Sequence, residues 1–557
     1  MASVAFTGSE VSLSRAGKAG ILIALCALTL FWFFRQHFLS GFDLYGGTRA
    51  DSSIEIGILE HWYGVWRGLR PWEDAPWFYP HHGALGYQDA HFGYGLIYSV
   101  LRAAALDRFQ ASEYTHLLLK IAGFFGFYYV AARIFRLPFA WSAFGAVLFS
   151  TLNGYFIHSP VHAQLYTMNL VPWAFALGYH GVDAFSQGRR WAFFGYGLGL
   201  VLLYGAWLLS TFYLAWFFGF FAFFALVALV WQIGRAERRR LVGLLRRHAW
   251  LVLLLAVCFA AELYPFLHLY LPAIAATGGF GPHEIEFHAG HLIDVFNVGP
   301  HNIVYQILSS RPSFEFSERS TGLTPFLALC FVIAAVMLAR DRTLPQRTLL
   351  IGLLIVTVAT WLLTIKFGHF LAWRFVYAYV PGAGAIRAVP RYVLLLSFFI
   401  ILFVLISLSR LPRRVPFPLV LFAGALLLVE QTNLDQMWAM SRTEENAALG
   451  PIGPPPAECK SFFVSRPRPQ PIPRASEYFD EVYRHNVDAM TIAVKFNLPT
   501  INGQASVIPK GWNLIYFSRP DYKDRVLAYA NENHIVAGLC SLDIPAARWD
   551  TTPFGAQ

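Results

Sequence analysis

The sequence predicts an α-helical, multi-pass membrane protein with a small mixed α/β domain at its C-terminal end. Three observations predict it: the composition, the recurrence of long apolar runs, and the placement of the arginines. Of the 557 residues, 56% are hydrophobic and 17% aromatic, while only 14% are charged. A soluble chain has about a quarter of its residues charged. Apolar runs of about 20 residues, enough to cross a hydrocarbon core, recur from Gly20 to Glu430.

Eleven spans are expected, near 19–37, 115–135, 138–157, 163–183, 191–209, 212–232, 249–271, 323–340, 348–366, 392–409 and 416–433. Arg15 and Lys18 flank the first, and no small-residue cleavage site follows, so it reads as a retained anchor. Every second loop is rich in arginine: Arg133 and Arg136; Arg189 and Arg190; the run from Arg235 to Arg247; Arg340, Arg342 and Arg347; Arg410, Arg413 and Arg414. The short loops around Ser159 and Ser210 have none. The positive-inside rule then puts the N-terminus inside and the C-terminus outside. The net charge of +10 is accounted for by topology and lipid headgroups. No basic–aromatic module points to nucleic acid.

Two loops, 38–114 and 272–322, and the tail 434–557 are thereby expected outside, with 1–433 as the membrane domain. Sixteen of the 18 histidines fall in these parts or at outer span ends. In the first loop, apolar residues of 51–69 recur at helical spacing, which predicts a helix lying in the membrane interface. The segment "FGYGLIYSVLRAAAL" (92–106) is expected to dip into the interface or to span. The loop 272–322 reads as a mobile cover, and "PIGPPP" and "RPRPQPIP" as a linker into the outer domain. Cys26, Cys258 and Cys330 sit in apolar runs as small core residues. Cys459 and Cys540 both lie in the outer tail, an even pair expected to form a disulfide in an oxidising compartment.

Ionisable residues at a membrane boundary mark function by default. Asp51, in "GGTRADSS", has two readings: a helix N-cap or a catalytic carboxylate. Asp89 and His91, in "FYPHHGALGYQDAHFGYG" (78–95), form either a carboxylate–imidazole pair or two ligands of a divalent cation. His81 and His82 read as loop residues. No zinc signature is present, and no metal site is assigned. Glu262 lies in the outer half of a span. Arg387 and Arg391, four residues apart in "GAGAIRAVPRY", suit either phosphate binding or headgroup anchoring. His162 and Gln164, in "SPVHAQ", are placed to join the same cavity. No P-loop, nucleophile elbow or dinucleotide fingerprint occurs.

The stretches "ADSSIEIGILEHWYGVWRG", "FYPHHGALGYQDAHFGYGLIY", "HAQLYTMNLVPWA", "GAGAIRAVPRYVLLL" and "DAMTIAVKFNLPTINGQASVIPKGW" resemble a group of bacterial multi-pass proteins of the C-type (GT-C) membrane glycosyltransferase superfamily. The resemblance runs along nearly the whole chain. It implies transfer of a sugar from a polyprenyl-phosphate carrier to a glycan or lipid acceptor outside the bacterial cytoplasmic membrane. It further implies that Asp51 is the general base, with Arg387, Arg391 and His91 around the leaving phosphate and Asp89 positioning sugar or phosphate. The chain lacks the acidic pair of the oligosaccharyltransferase members, so a divalent cation is left open. Two alternatives stand beside this: a transporter or flippase of a lipid-linked glycan, and a non-catalytic envelope-assembly protein.

Overall fold

In a computed structural model of the chain, the described residues are 14–278, 280–309, 318–411, 415–434, 439–473 and 475–555. Arg413 and Arg414, and residues 279 and 310–317 of the loop 272–322, lie outside them. The chain is a helical membrane protein. Six helices are long and apolar enough to cross a membrane: Arg15–Phe33, Arg108–Ile134, Arg190–Ser210, Phe212–Gln232, Ala249–Thr277 and Val389–Leu408. Three more apolar helices, Pro325–Arg340, Arg347–Leu363 and Phe417–Val429, are shorter. The expected span 138–157 is divided into helices Phe139–Ser150 and Asn153–His158. That at 163–183 opens as a 3₁₀ turn over Ala163–Leu170 before the helix Val171–Ser186. The 92–106 segment yields only Phe92–Ala103, roughly 18 Å of helix and too short to span.

The helix Tyr392–Leu408 is buried along nearly its whole length, as expected of a helix that is apolar on every side. It packs against Phe139–Ser150, Pro325–Arg340 and Arg347–Leu363. Glu430, fully buried, fastens this part of the bundle. Its carboxylate accepts the Phe326 and Leu327 N–H groups at 3.0 and 2.8 Å, and the Tyr305 hydroxyl at 2.9 Å. It thus supplies the acceptors that the first turn of Pro325–Arg340 would otherwise lack.

The Asp51–Trp66 helix does not lie on a membrane surface. Ile54, Glu55, Ile56, Ile58, Leu59, His61 and Trp62 are all buried. The helix is covered by Phe92–Ala103 on one side and Glu477–Phe496 on another. Its aromatic and aliphatic residues point in too many directions for a single lipid-facing stripe, and protein covers most of them, Trp66 at the end of the helix being exposed.

The C-terminal segment contains a three-stranded sheet, Ser461–Arg466 and Leu539–Asp543 parallel, with Arg548–Asp550 antiparallel at the edge. The helices Glu477–Phe496 and Tyr522–Glu532 accompany it, and a Cys459–Cys540 disulfide joins its first two strands at their start. The proline-rich stretch is anchored at Ile452, Arg468 and Ile472, which are buried. Arg468 is buried there, bonded to Asp488 at 2.9 Å and paired with Glu445 at 2.9 Å. Backbone hydrogen bonds tie the segment to the 76–79 stretch: Thr500 N–H to Pro76 O, Phe78 N–H to Asn502 O and Tyr79 N–H to Thr500 O. Trp77, Phe78, Tyr87, Met490, Ile501 and Trp512 share one core across that junction.

Candidate functional site

Five stretches far apart in sequence converge in one place. The first is the start of the Asp51–Trp66 helix. Ala50, and not Asp51, is its N-cap, and no side chain caps it. Asp51 stands in the first turn with its carboxylate half-buried, turned to the hydroxyl of Tyr483. The capping reading of Asp51 therefore fails. Gly47 makes the approach geometry: at φ +112°, a Cβ there would lie 2.2 Å from Pro160 O. The Ser52 hydroxyl donates to the same carbonyl at 3.2 Å, binding this turn to the 158–164 loop.

That loop brings His162 and Gln164. His162 Nε2 lies 3.6 Å from Glu318 Oε1. The Gln164 side chain faces Asp89, and its backbone carbonyl accepts the Thr211 and Thr167 hydroxyls at 3.0 and 2.7 Å. Asp89 also accepts the Phe212 N–H at 3.1 Å, at the start of the Phe212–Gln232 helix. An acid there is favoured by the helix dipole.

The last two stretches carry the two cations and the acid that pairs with one of them. The 382–391 turn is held by Tyr213, whose hydroxyl accepts the Arg387 and Ala388 N–H groups at 2.9 and 3.2 Å. Arg391 is bidentate to Glu318, with both donor–acceptor distances 2.6 Å. Arg387 differs. Its guanidinium lies over the Phe280 ring at 5.3 Å and makes no hydrogen bond or ion pair among the described residues. One cation is thus neutralised, and its neighbour has no anionic partner among the described residues.

The electrostatics follow from burial in this setting. Burial pushes Asp51 up to about 6, with Glu318 adding to the rise while Arg391, Arg387 and the Tyr483 hydroxyl oppose it. Burial likewise raises Asp89 to about 6, against the Phe212 N–H, Arg391 and Gln164. Burial would also raise Glu318, but the Arg391 guanidinium overrides it and holds the carboxyl well below the ordinary range. Burial, with Arg391 beside it, keeps His162 well below its usual value. The imidazole is therefore neutral near pH 7, and Arg391 is what answers the charge of Glu318.

Two candidates stand apart. His91 is buried in the left-handed region at φ +53°, facing Glu55 and His116, and burial lowers it to about 4. The turn at Ala90 sends Asp89 and His91 to different neighbours, so they do not form a ligand pair. Glu262 lies between helices, its carboxylate packed where a Cβ on Gly205 would stand, 2.4 Å from Oε2. Among the described residues no three of His, Cys, Asp or Glu are grouped to hold a metal ion.

Sequence reasoning missed Glu318, Tyr213, Tyr483 and Gln504. Glu318 had a signal, as an acid in "FSERS" just before an apolar run. The others are polar residues of ordinary type whose role depends on tertiary contact alone.

No family model and no curated protein matches the chain. Among solved structures it is similar to the cryo-EM structure of arabinofuranosyltransferase AftD from Mycobacteria, at 14% identity and a TM-score of 0.45. The match covers 89% of this chain and 32% of that one. Structures of two classes of a point mutant of AftD match at 15% identity, TM-score 0.45, over 89% of this chain and 33% of theirs. The chain spans about one third of the length of those proteins.

Proposed function

We propose that this protein is a membrane glycosyltransferase of GT-C type, moving a sugar from a polyprenyl-phosphate carrier to a hydroxyl of a glycan or lipid acceptor. The site would face the outside of a bacterial cytoplasmic membrane, on a chain of eleven spans with its N-terminus inside and residues 434–557 forming an outer domain. The observation that carries the reading is the pairing of unlike groups in one site. Asp51 is an acid with a raised affinity for protons, and Arg387 is a guanidinium with no anionic partner among the described residues.

In this reading Asp51, ionised, takes the proton of the acceptor hydroxyl as its oxygen attacks the anomeric carbon. The bond from that carbon to the phosphate oxygen breaks, and its electron pair leaves with the polyprenyl phosphate. Arg387 meets the charge that develops there. A positioned base contributes roughly 10²–10⁴-fold, and a preorganised cation on the leaving group about 10²–10³-fold. Arg391, already tied to Glu318, orients the turn that presents Arg387. Asp89 fixes the start of the Phe212–Gln232 helix beside Gln164, and both line the sugar side.

The reading is tested with purified protein in lipid, a panel of radiolabelled polyprenyl-phosphate sugars and a membrane extract as acceptor. Transfer is expected with at least one donor and is expected to vanish in Asp51→Asn. Transfer that persists at the parental rate in Asp51→Asn would refute the role of Asp51.

A further inference from the structure

The helix Glu477–Phe496 packs on the helix that begins at Asp51. Along it, Phe479 and Tyr483 stack one turn apart, with ring centroids 4.1 Å apart and planes at 19°. That stack fixes the tyrosine ring and with it the position of the hydroxyl. The hydroxyl faces two side chains, Asp51 on one side and Gln504 on the other. Gln504 is itself held in place. Asn502, two residues before it, donates to Asn486 Oδ1 and the Tyr522 hydroxyl at 3.1 Å each. Its own Oδ1 takes the Val464 N–H at 2.9 Å. Gly503 follows with no room for a side chain, since a Cβ would lie 2.7 Å from the Phe78 ring.

We infer that the C-terminal segment completes the site: Tyr483, braced by Gln504, is a positioning residue that aims the Asp51 carboxylate and sets its basicity. This rests on the reading of Asp51 as the base. The chemistry is direct. The Gln504 amide donates to the tyrosine oxygen, which leaves the phenolic proton for Asp51. An O–H aimed at a carboxylate stabilises the ionised form, and a charge-assisted bond of this kind is stronger than a neutral one. The other charged groups facing Asp51 come from elsewhere: Glu318 from the loop before Pro325–Arg340, and Arg387 and Arg391 from the turn before Tyr392–Leu408. None of them lies in residues 434–557, so the tyrosine is the handle by which that segment acts on the base.

The test is an infrared pH titration of the full-length protein in lipid, reading the carboxyl C=O stretch that Asp51→Asn removes. In Tyr483→Phe the ring and its stack remain and only the donor is lost. The midpoint of that band is expected to rise by about one pH unit. Gln504→Leu is expected to move it in the same direction by less, since the tyrosine remains but is no longer aimed. The acid limb of the transfer rate should move with the band. A midpoint unchanged in Tyr483→Phe overturns the inference. So does a parent protein with no titrating band that Asp51→Asn removes. The spectrum needs no turnover, so failure of Asp51 as base appears in the transfer assay, and failure of this inference appears in the titration.

Discussion

Glu318→Gln is the substitution whose cost the structure defines best. Glu318 receives Nε and Nη2 of Arg391 at 2.6 Å each, and the two side chains are 14% and 7% exposed. Neutralising the acid leaves a buried guanidinium without its counter-charge, with Arg387 also close by. Breaking a buried pair from one side costs about 3–5 kcal/mol. Glutamine keeps one oxygen that can accept one of the two N–H groups, so the lower end, about 3 kcal/mol, is expected. Arg391→Gln in the same background pairs two amides and restores neutrality. The double variant should therefore lose less than the sum of the singles, with a coupling of about 2 kcal/mol. Unfolding by SDS in mixed micelles, followed by tryptophan fluorescence, reads all four corners of the cycle. The pH dependence has a definite sign. Because Glu318 is held below the ordinary carboxylate range, its contribution is complete above that range and is lost only as pH falls through the lowered value. The difference between parent and Glu318→Gln should then be constant between about pH 5 and 8. A single-variant cost below about 1 kcal/mol, or strictly additive losses, would refute the assignment of this pair as the neutral brace of the site.

Three further outcomes follow from the same geometry. Arg387→Gln should lower kcat by about 10²-fold with little change in unfolding, because its guanidinium has no ion pair among the described residues to lose; steady-state kinetics beside SDS titration separates the two. Transfer should decline about tenfold per pH unit below about 6, the value to which burial raises Asp51, and a kcat/KM profile reads that limb. Replacing Cys459 and Cys540 by serine opens a loop of 81 residues, for which chain entropy gives a loss of up to about 4.5 kcal/mol. Protease resistance of residues 439–555 should then fall.

What was legible in the sequence, and what was not, divides by physical cause. Apolar run length is a local property, and the helices Arg190–Ser210, Phe212–Gln232 and Ala249–Thr277 begin within a residue or so of where hydropathy puts them. The Asp51–Trp66 helix was legible too, but its environment was not. Trp and Tyr at helical spacing fit a lipid interface and a protein groove equally well, and only the Glu477–Phe496 helix laid over it decides. Of the candidate residues, Asp51, His162, Arg387 and Arg391 gather in one site, as do Asp89 and Gln164. His91 and Glu262 do not, because an i, i+2 spacing across a left-handed turn and a lone acid in a span say nothing of direction. Glu318 and Tyr483 were invisible for the complementary reason: each is ordinary in its own segment and acquires meaning only from a partner hundreds of residues away or on another element.

The measurement that bears most directly on the whole account is sugar transfer by Asp51→Asn beside the parent protein, in lipid, with the panel of polyprenyl-phosphate sugars. The substitution is isosteric and removes a charge whose ionisation the surroundings already disfavour, so the variant should fold. The account predicts transfer by the parent and none by a folded Asp51→Asn. Equal transfer by both would contradict it.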